Sequence, residues 1–167
     1  MTTQSIAPVV HERTVRAPVD TCFRVFVDGF GTWWPPEHHI GENREITAFT
    51  IEPLVGGRCF DTDTSGTECH WGTVLAYEPP TRLVLAWHIQ GDWQIDLDPA
   101  KQSEVTITFT DAGDGTTAVR LEHSKIERHD LPENVAGPVA SEGGWPFIVG
   151  RFVDRVEGRE PRPHGAG

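Results

Sequence analysis

The alternation in residues 103–113, SEVTITFTDAG, constrains the fold more than any other stretch. Val105, Ile107 and Phe109 fall on one parity and Thr106, Thr108 and Thr110 on the other. A period of two buries one face and wets the other only when the backbone is extended. Gly113-Asp114-Gly115 then supplies turn residues, and in TTAVRLEHSKI the side chains of Val119, Leu121 and His123 share one parity against Ala118, Arg120 and Glu122. These two runs predict an antiparallel hairpin with one apolar face.

Such a face must be covered, and the long amphipathic segment able to do so is SEGGWPFIVGRFVDRVEG. In it Trp145, Ile148, Val149, Phe152 and Val156 recur at helical spacing, which leaves Arg151, Asp154, Arg155 and Glu157 to face water. Ser141 reads as an N-cap, Pro146 in the first turn sets the start near Gly144, and Gly158 ends the helix.

Upstream, ERTVRA (12–17) predicts a short strand and Ala17-Pro18-Val19-Asp20 a helix entrance, followed by an apolar stripe of Val19, Cys22, Phe23, Phe26 and Phe30. Gly29 and Gly31 interrupt it, and Trp33-Trp34-Pro35-Pro36 forms a loop or short turn. Residues 45–53 predict a strand. RCFDTD, TECHWGTVLAYE and RLVLAWHIQ continue as a meander, with turns at the TSG triplet and at Pro79-Pro80. Residues 125–140 are expected to form a crossing segment or short helix. Strands do not alternate with helices, so the expected class is α+β: a curved antiparallel sheet of about six or seven strands wrapped around a long C-terminal helix. With 167 residues the chain suits one core. The expected domain spans 10–158, with a flexible 1–9 and a disordered 159–167.

A formal net charge of −11 repels phosphate backbones and anionic headgroups, which argues against nucleic-acid or membrane partners. No stretch approaches the roughly 20 apolar residues of a membrane span, and MTTQSIAPVV lacks the pattern of a secretion signal, so a cytoplasmic location is expected. Cys22, Cys59 and Cys69 are expected to be reduced, a Cys59–Cys69 cross-strand pair being the alternative. No nucleophile elbow, P-loop or dinucleotide fingerprint is present, and no cofactor is expected.

A twisted sheet around one helix seldom fills its own concavity, which predicts a ligand pocket of roughly 300–1,000 Å³. The chain carries six tryptophans. The expected walls are Trp33, Trp34, Trp71, Trp87, Trp145, Phe109 and Phe152, with His123 as a polar anchor, because indoles offer a flat apolar face and one donor. Trp93 sits in a polar loop. His123 reads either as a hydrogen-bonded structural histidine or as an acid/base. Asp61, Asp63, Glu68 and His70 surround a hairpin tip, but their spacing fits no metal motif; they read as solvated turn charges, and no metal is expected. Glu37, His38 and His39 are placed on an exposed loop near the cavity mouth.

Several segments together carry a resemblance: Ala17-Pro18-Val19-Asp20, Trp33-Trp34-Pro35, Gly56-Gly57-Arg58, Gly66-Thr67-Glu68-Cys69-His70-Trp71-Gly72-Thr73-Val74-Leu75, Glu78-Pro79-Pro80-Thr81-Arg82-Leu83, Leu121-Glu122-His123-Ser124 and Gly144-Trp145-Pro146. In this order the chain resembles the family related to the activator of heat-shock protein 90 ATPase. That family lies within the START-like, birch-pollen-allergen-like (SRPBCC) helix-grip superfamily, and the likeness spans about residues 10–158. The resemblance implies the helix-grip fold, and three functional expectations stand beside it, the first drawn from an expected apolar cavity without convergent catalytic groups. The first is a non-catalytic binder of a small apolar or aromatic molecule. The second is a cyclase- or hydrolase-type enzyme using His123 with Glu68 or Glu122. The third is a chaperone-interacting stress-response module. Monomer and homodimer are both compatible with the sequence.

Overall fold

The computed structural model describes residues 6–41 and 43–163. Seven strands, β1 (Val9–Val15), β2 (Ile46–Ile51), β3 (Arg58–Asp63), β4 (Glu68–Glu78), β5 (Arg82–Trp87), β6 (Ser103–Gly113) and β7 (Thr116–Ser124), form one antiparallel sheet in the order β1-β7-β6-β5-β4-β3-β2. The chain thus meanders from β2 to β7, as short connections between sequential strands favour, and β1 forms the far edge against β7. Helices α1 (Val19–Val27), α2 (Phe30–Trp33), α3 (Glu133–Ala140) and α4 (Trp145–Val156) complete the α+β helix-grip architecture.

The hairpin predicted from alternation is β6–β7, with Val105 opposite His123, Ile107 opposite Leu121 and Phe109 opposite Val119. All six side chains are buried on the concave face. Register breaks give the sheet its curl. Between β3 and β4 the pairing steps from Cys59↔Gly72 to Phe60↔His70, so Trp71 is the extra residue of a bulge. Cys59 and Cys69 accordingly face other partners, and the three thiols are free.

Helix α4 begins at Trp145 with Gly144 as its N-cap and Pro146 in the first turn. Ser141 is not that cap. It closes α3 instead, its hydroxyl donating to the Pro138 carbonyl at 2.6 Å. A side chain at Gly144 would collide with the carbonyls of Pro138 and Val139, so only glycine allows α3 and α4 to meet this closely.

Asp154 departs from its solvent-side placement, being only 3% exposed. Residues 159–163 fold back over it, where Arg162 donates from Nε at 2.8 Å and from Nη2 at 2.8 Å, and Arg159 from Nη2 at 3.1 Å. These charge-assisted bonds hold its carboxyl well below the usual range, first through Arg162 and against the opposing effect of burial. Arg151 joins α4 to α2 by donating from Nε to the Trp33 carbonyl at 2.7 Å.

Candidate functional site

Two aromatic layers fill the space between sheet and helices. The inner one packs Phe26 against Trp33, Phe109 and Phe152 at centroid distances of 4.8, 5.7 and 5.2 Å. Three of the expected wall residues, Trp33, Phe109 and Phe152, belong to this layer; each is at most 1% exposed, and none lines a cavity described here. Phe30 stacks on Trp34 at 4.9 Å and on Trp71 at 5.8 Å, joining this layer to the next.

The outer layer holds the other expected indoles. Trp34 stacks on Trp71 at 5.6 Å and 11°, while Trp145 meets Trp34 and Trp87 edge-on at 6.2 and 5.7 Å. Against this layer lies a cavity of about 380 Å³. Trp34, Trp87, Trp145, Ile89 and Ile148 form its apolar walls, Glu37, His38, His39 and Ile40 one side, and Pro138, Val139, Ser141, Gly143 and Gly144 the other. Trp93 stands at the rim, 56% exposed and at φ 64°. A bulky residue seldom adopts that left-handed conformation. Its place in the cavity lining is a feature that the polar surroundings in sequence concealed.

A smaller chamber of about 20 Å³ adjoins it, lined by the same Trp34, His38, His39, Ile40, Trp87 and Ile89 and additionally by Trp71 and Asp61. Asp61 is 1% exposed and Asp63 is also buried, so neither is a solvated turn charge. Arg44 explains both: Nη2 donates to Asp61 Oδ1 at 2.7 Å and Nε to Asp63 Oδ2 at 2.7 Å. Arg44 also donates from Nη1 to the Ile40 carbonyl at 2.7 Å, which ties the 37–40 segment to the strands. Burial raises the Asp61 carboxyl while Arg44 opposes the shift. Asp63 is held well below the usual carboxylate range by Ser65 and Arg44. Glu68 pairs with Arg58 at the surface, and His70 Nε2 lies 3.4 Å from Thr73 Oγ1. Among the described residues no group of three His, Cys, Asp or Glu side chains is placed to hold a metal ion.

His123 is 0% exposed and lies behind Trp145. Its tautomer follows from its neighbours, because an indole or backbone N–H can only donate. Trp145 Nε1 donates to His123 Nδ1 at 3.1 Å, so Nε2 carries the proton and donates to Ser103 Oγ at 2.7 Å. The Ser103 hydroxyl donates in turn to His129 Nε2 at 2.6 Å, which also accepts from the Ser103 N–H at 3.3 Å. The chain of bonds therefore runs Trp145, His123, Ser103, His129. Burial pushes His123 down to about 3, with the nearby His129 adding to the effect, and burial pushes His129 down to about 4. Both nitrogens of His123 are engaged by protein partners, Nδ1 by the Trp145 indole of the cavity wall and Nε2 by Ser103.

The profile of the family described as Activator of Hsp90 ATPase homolog 1-like protein matches residues 16–157. Among solved structures, the anthrahydroquino-γ-pyrone synthase Txn09 is 38% identical, with 90% of this chain and 97% of that chain covered and a TM-score of 0.63. The self-sacrificing resistance protein CalC from Micromonospora echinospora is 31% identical over 90% of this chain and 94% of that chain, with a TM-score of 0.66. A protein from Arthrobacter aurescens, 15% identical over 96% of this chain and 92% of that chain with a TM-score of 0.65, shares the fold. No curated protein sequence matches significantly. No helix among the described residues is long and apolar enough to cross a membrane. With the seven-stranded grip around α4 and a profile match across nearly the whole described domain, the chain belongs to the Activator of Hsp90 ATPase homolog 1-like family.

Proposed function

We propose that this protein binds a planar, largely apolar aromatic molecule in the cavity walled by Trp34, Trp87 and Trp145. The observation that carries the reading is the cavity itself. Its volume, about 380 Å³, lies in the range of small-molecule sites. Its walls are indoles held rigid by stacking and hydrogen bonds, so little ordering is left to oppose binding. Likeness to a synthase of a fused-ring product points to the same ligand shape.

Two roles fit such a site: carrier or sensor, and enzyme. The bonding of His123 supports the first, since its lone pair serves Trp145 and its proton serves Ser103. The 38% identity with a synthase favours the second, with catalytic groups other than His123.

The test is titration calorimetry with 1,8-dihydroxyanthraquinone on the wild type and on Trp93→Ala. Trp93 is exposed, so its truncation leaves the core intact. Micromolar binding by the wild type, weakened about three- to tenfold in the variant through lost ring contact, is expected. Absence of binding up to the solubility limit, or equal affinity in both proteins, would overturn the reading.

A further inference from the structure

We infer that the smaller chamber is a hydroxyl-reading niche in which Asp61 accepts a hydrogen bond from a phenolic or enolic OH of the bound ring system. This rests on the proposed aromatic-binding role and narrows the ligand to a planar apolar body with one donor at its buried end.

Size is the first argument. The chamber measures about 20 Å³ against about 380 Å³ for the larger cavity, so it takes a substituent rather than the body of a fused-ring ligand. The chamber shares six lining residues with the larger cavity, so a ring seated against Trp34 and Trp87 can project a substituent into it.

Chemistry is the second. Asp61 is the carboxylate in a lining otherwise made of indoles, isoleucines and imidazoles. Arg44 occupies Oδ1, and among the described residues no group donates to the other oxygen. Asp61 lines the chamber and its Oδ2 is not among the sealed atoms that lack a partner, so this oxygen opens on the chamber and is served there by a guest that supplies a proton. A methyl ether cannot donate.

The geometry also explains why the charge is tolerated. Arg44 bridges Asp61 and Asp63 and fixes the 37–40 segment, so the carboxylate belongs to a rigid network rather than to a mobile side chain. A site built around a hydroxyl rejects analogues lacking it far more sharply than an apolar pocket rejects a methyl group.

The experiment compares 2-naphthol, 2-methoxynaphthalene and naphthalene by titration calorimetry at pH 7.5, on the wild type and on Asp61→Asn. The expected result is wild-type affinity about tenfold or more higher for 2-naphthol than for 2-methoxynaphthalene, as a hydrogen bond to a charged acceptor gives. In Asp61→Asn that ratio falls to about threefold or less, while the affinity for naphthalene stays within about twofold of wild type. The asparagine keeps an oxygen for Arg44, and Asp63 remains to hold the guanidinium. If the variant fails to fold, the wild-type ratio still decides: equal affinity for naphthol and its methyl ether overturns the niche and leaves the aromatic cavity standing. If none of the three compounds binds, the cavity reading falls and the niche with it.

Discussion

Phe152→Ala is expected to lower the free energy of unfolding by about 3–5 kcal/mol, the cost of deleting a buried ring that its surroundings cannot replace. Phe152 lies mid-way along α4 and is 0% exposed. Its ring meets Phe26 at 5.2 Å, Trp33 at 5.3 Å and Phe109 at 6.5 Å, all edge-on. These partners come from α1, α2 and β6, so the side chain fastens three elements to the gripped helix. Against a typical total of about 5–15 kcal/mol the loss is large. Urea denaturation followed by far-UV circular dichroism measures it. Leu97→Ala, which removes a side chain 62% exposed, serves as a control expected to stay within about 0.5 kcal/mol. A loss below about 1 kcal/mol in Phe152→Ala would show that the aromatic layer collapses around the gap.

Stability is also expected to fall steeply as the pH drops from 6.5 to 5. His123 is pushed down to about 3, and His88 and His129 to about 4, burial being the leading cause in each. The folded state therefore keeps these rings neutral while the unfolded chain takes up protons below its ordinary histidine value of 6.5. A group whose folded pKa is lowered in this way stabilises fully above 6.5 and progressively less as the pH falls toward its folded value. Between pH 6.5 and 5 that is at most roughly 2 kcal/mol per histidine, and on the order of 4–6 kcal/mol for the three together. The depressed carboxyls of Asp63 and Asp154 lose their contribution only below the ordinary carboxylate value of 3.8, outside this window. Asp61, raised by burial, acts in the opposite sense close to its own titration. Urea midpoints at pH 7.5, 6.5, 5.5 and 5.0 would reveal the slope. A flat profile across that range would contradict the neutral relay from Trp145 to His129.

The sheet and the gripped helix were legible because each is written in a local period. Val105, Ile107 and Phe109 specify the concave face of β6 whatever surrounds them, and Trp145 to Val156 specify a helix stripe. The cavity was legible only as a consequence of that shape. Its actual walls come from irregular segments, residues 37–40 and 138–144, whose convergence depends on long-range packing rather than on any period. Trp33 and Trp34 show the difference: adjacent in sequence, they enter different aromatic layers because α2 ends between them.

Charged residues were the least legible. Asp61 and Asp63 share a strand parity with buried Cys59, and Arg44 stands on the segment preceding β2, which together form the only hint of a buried ion pair. Asp154 sits at a solvent-side helix position and is covered by Arg159 and Arg162 from the following segment, an arrangement that periodicity within the helix does not encode. His123, by contrast, was placed correctly on the buried parity, but the partner that fixes its role, Trp145, lies on another element.

The central claim is that aromatic ligands enter the space between Trp34, Trp87 and Trp145 and leave the inner layer untouched. Two-dimensional ¹H–¹⁵N spectra resolve one indole N–H signal per tryptophan and report on this directly. Titration with 2-naphthol is predicted to shift the Trp34, Trp87, Trp93 and Trp145 indole signals in a saturable manner. The Trp33 signal, whose N–H is bonded to the Val25 carbonyl at 3.0 Å, is predicted to stay in place. No saturable shift among those four, or a Trp33 shift as large as theirs, would contradict the account.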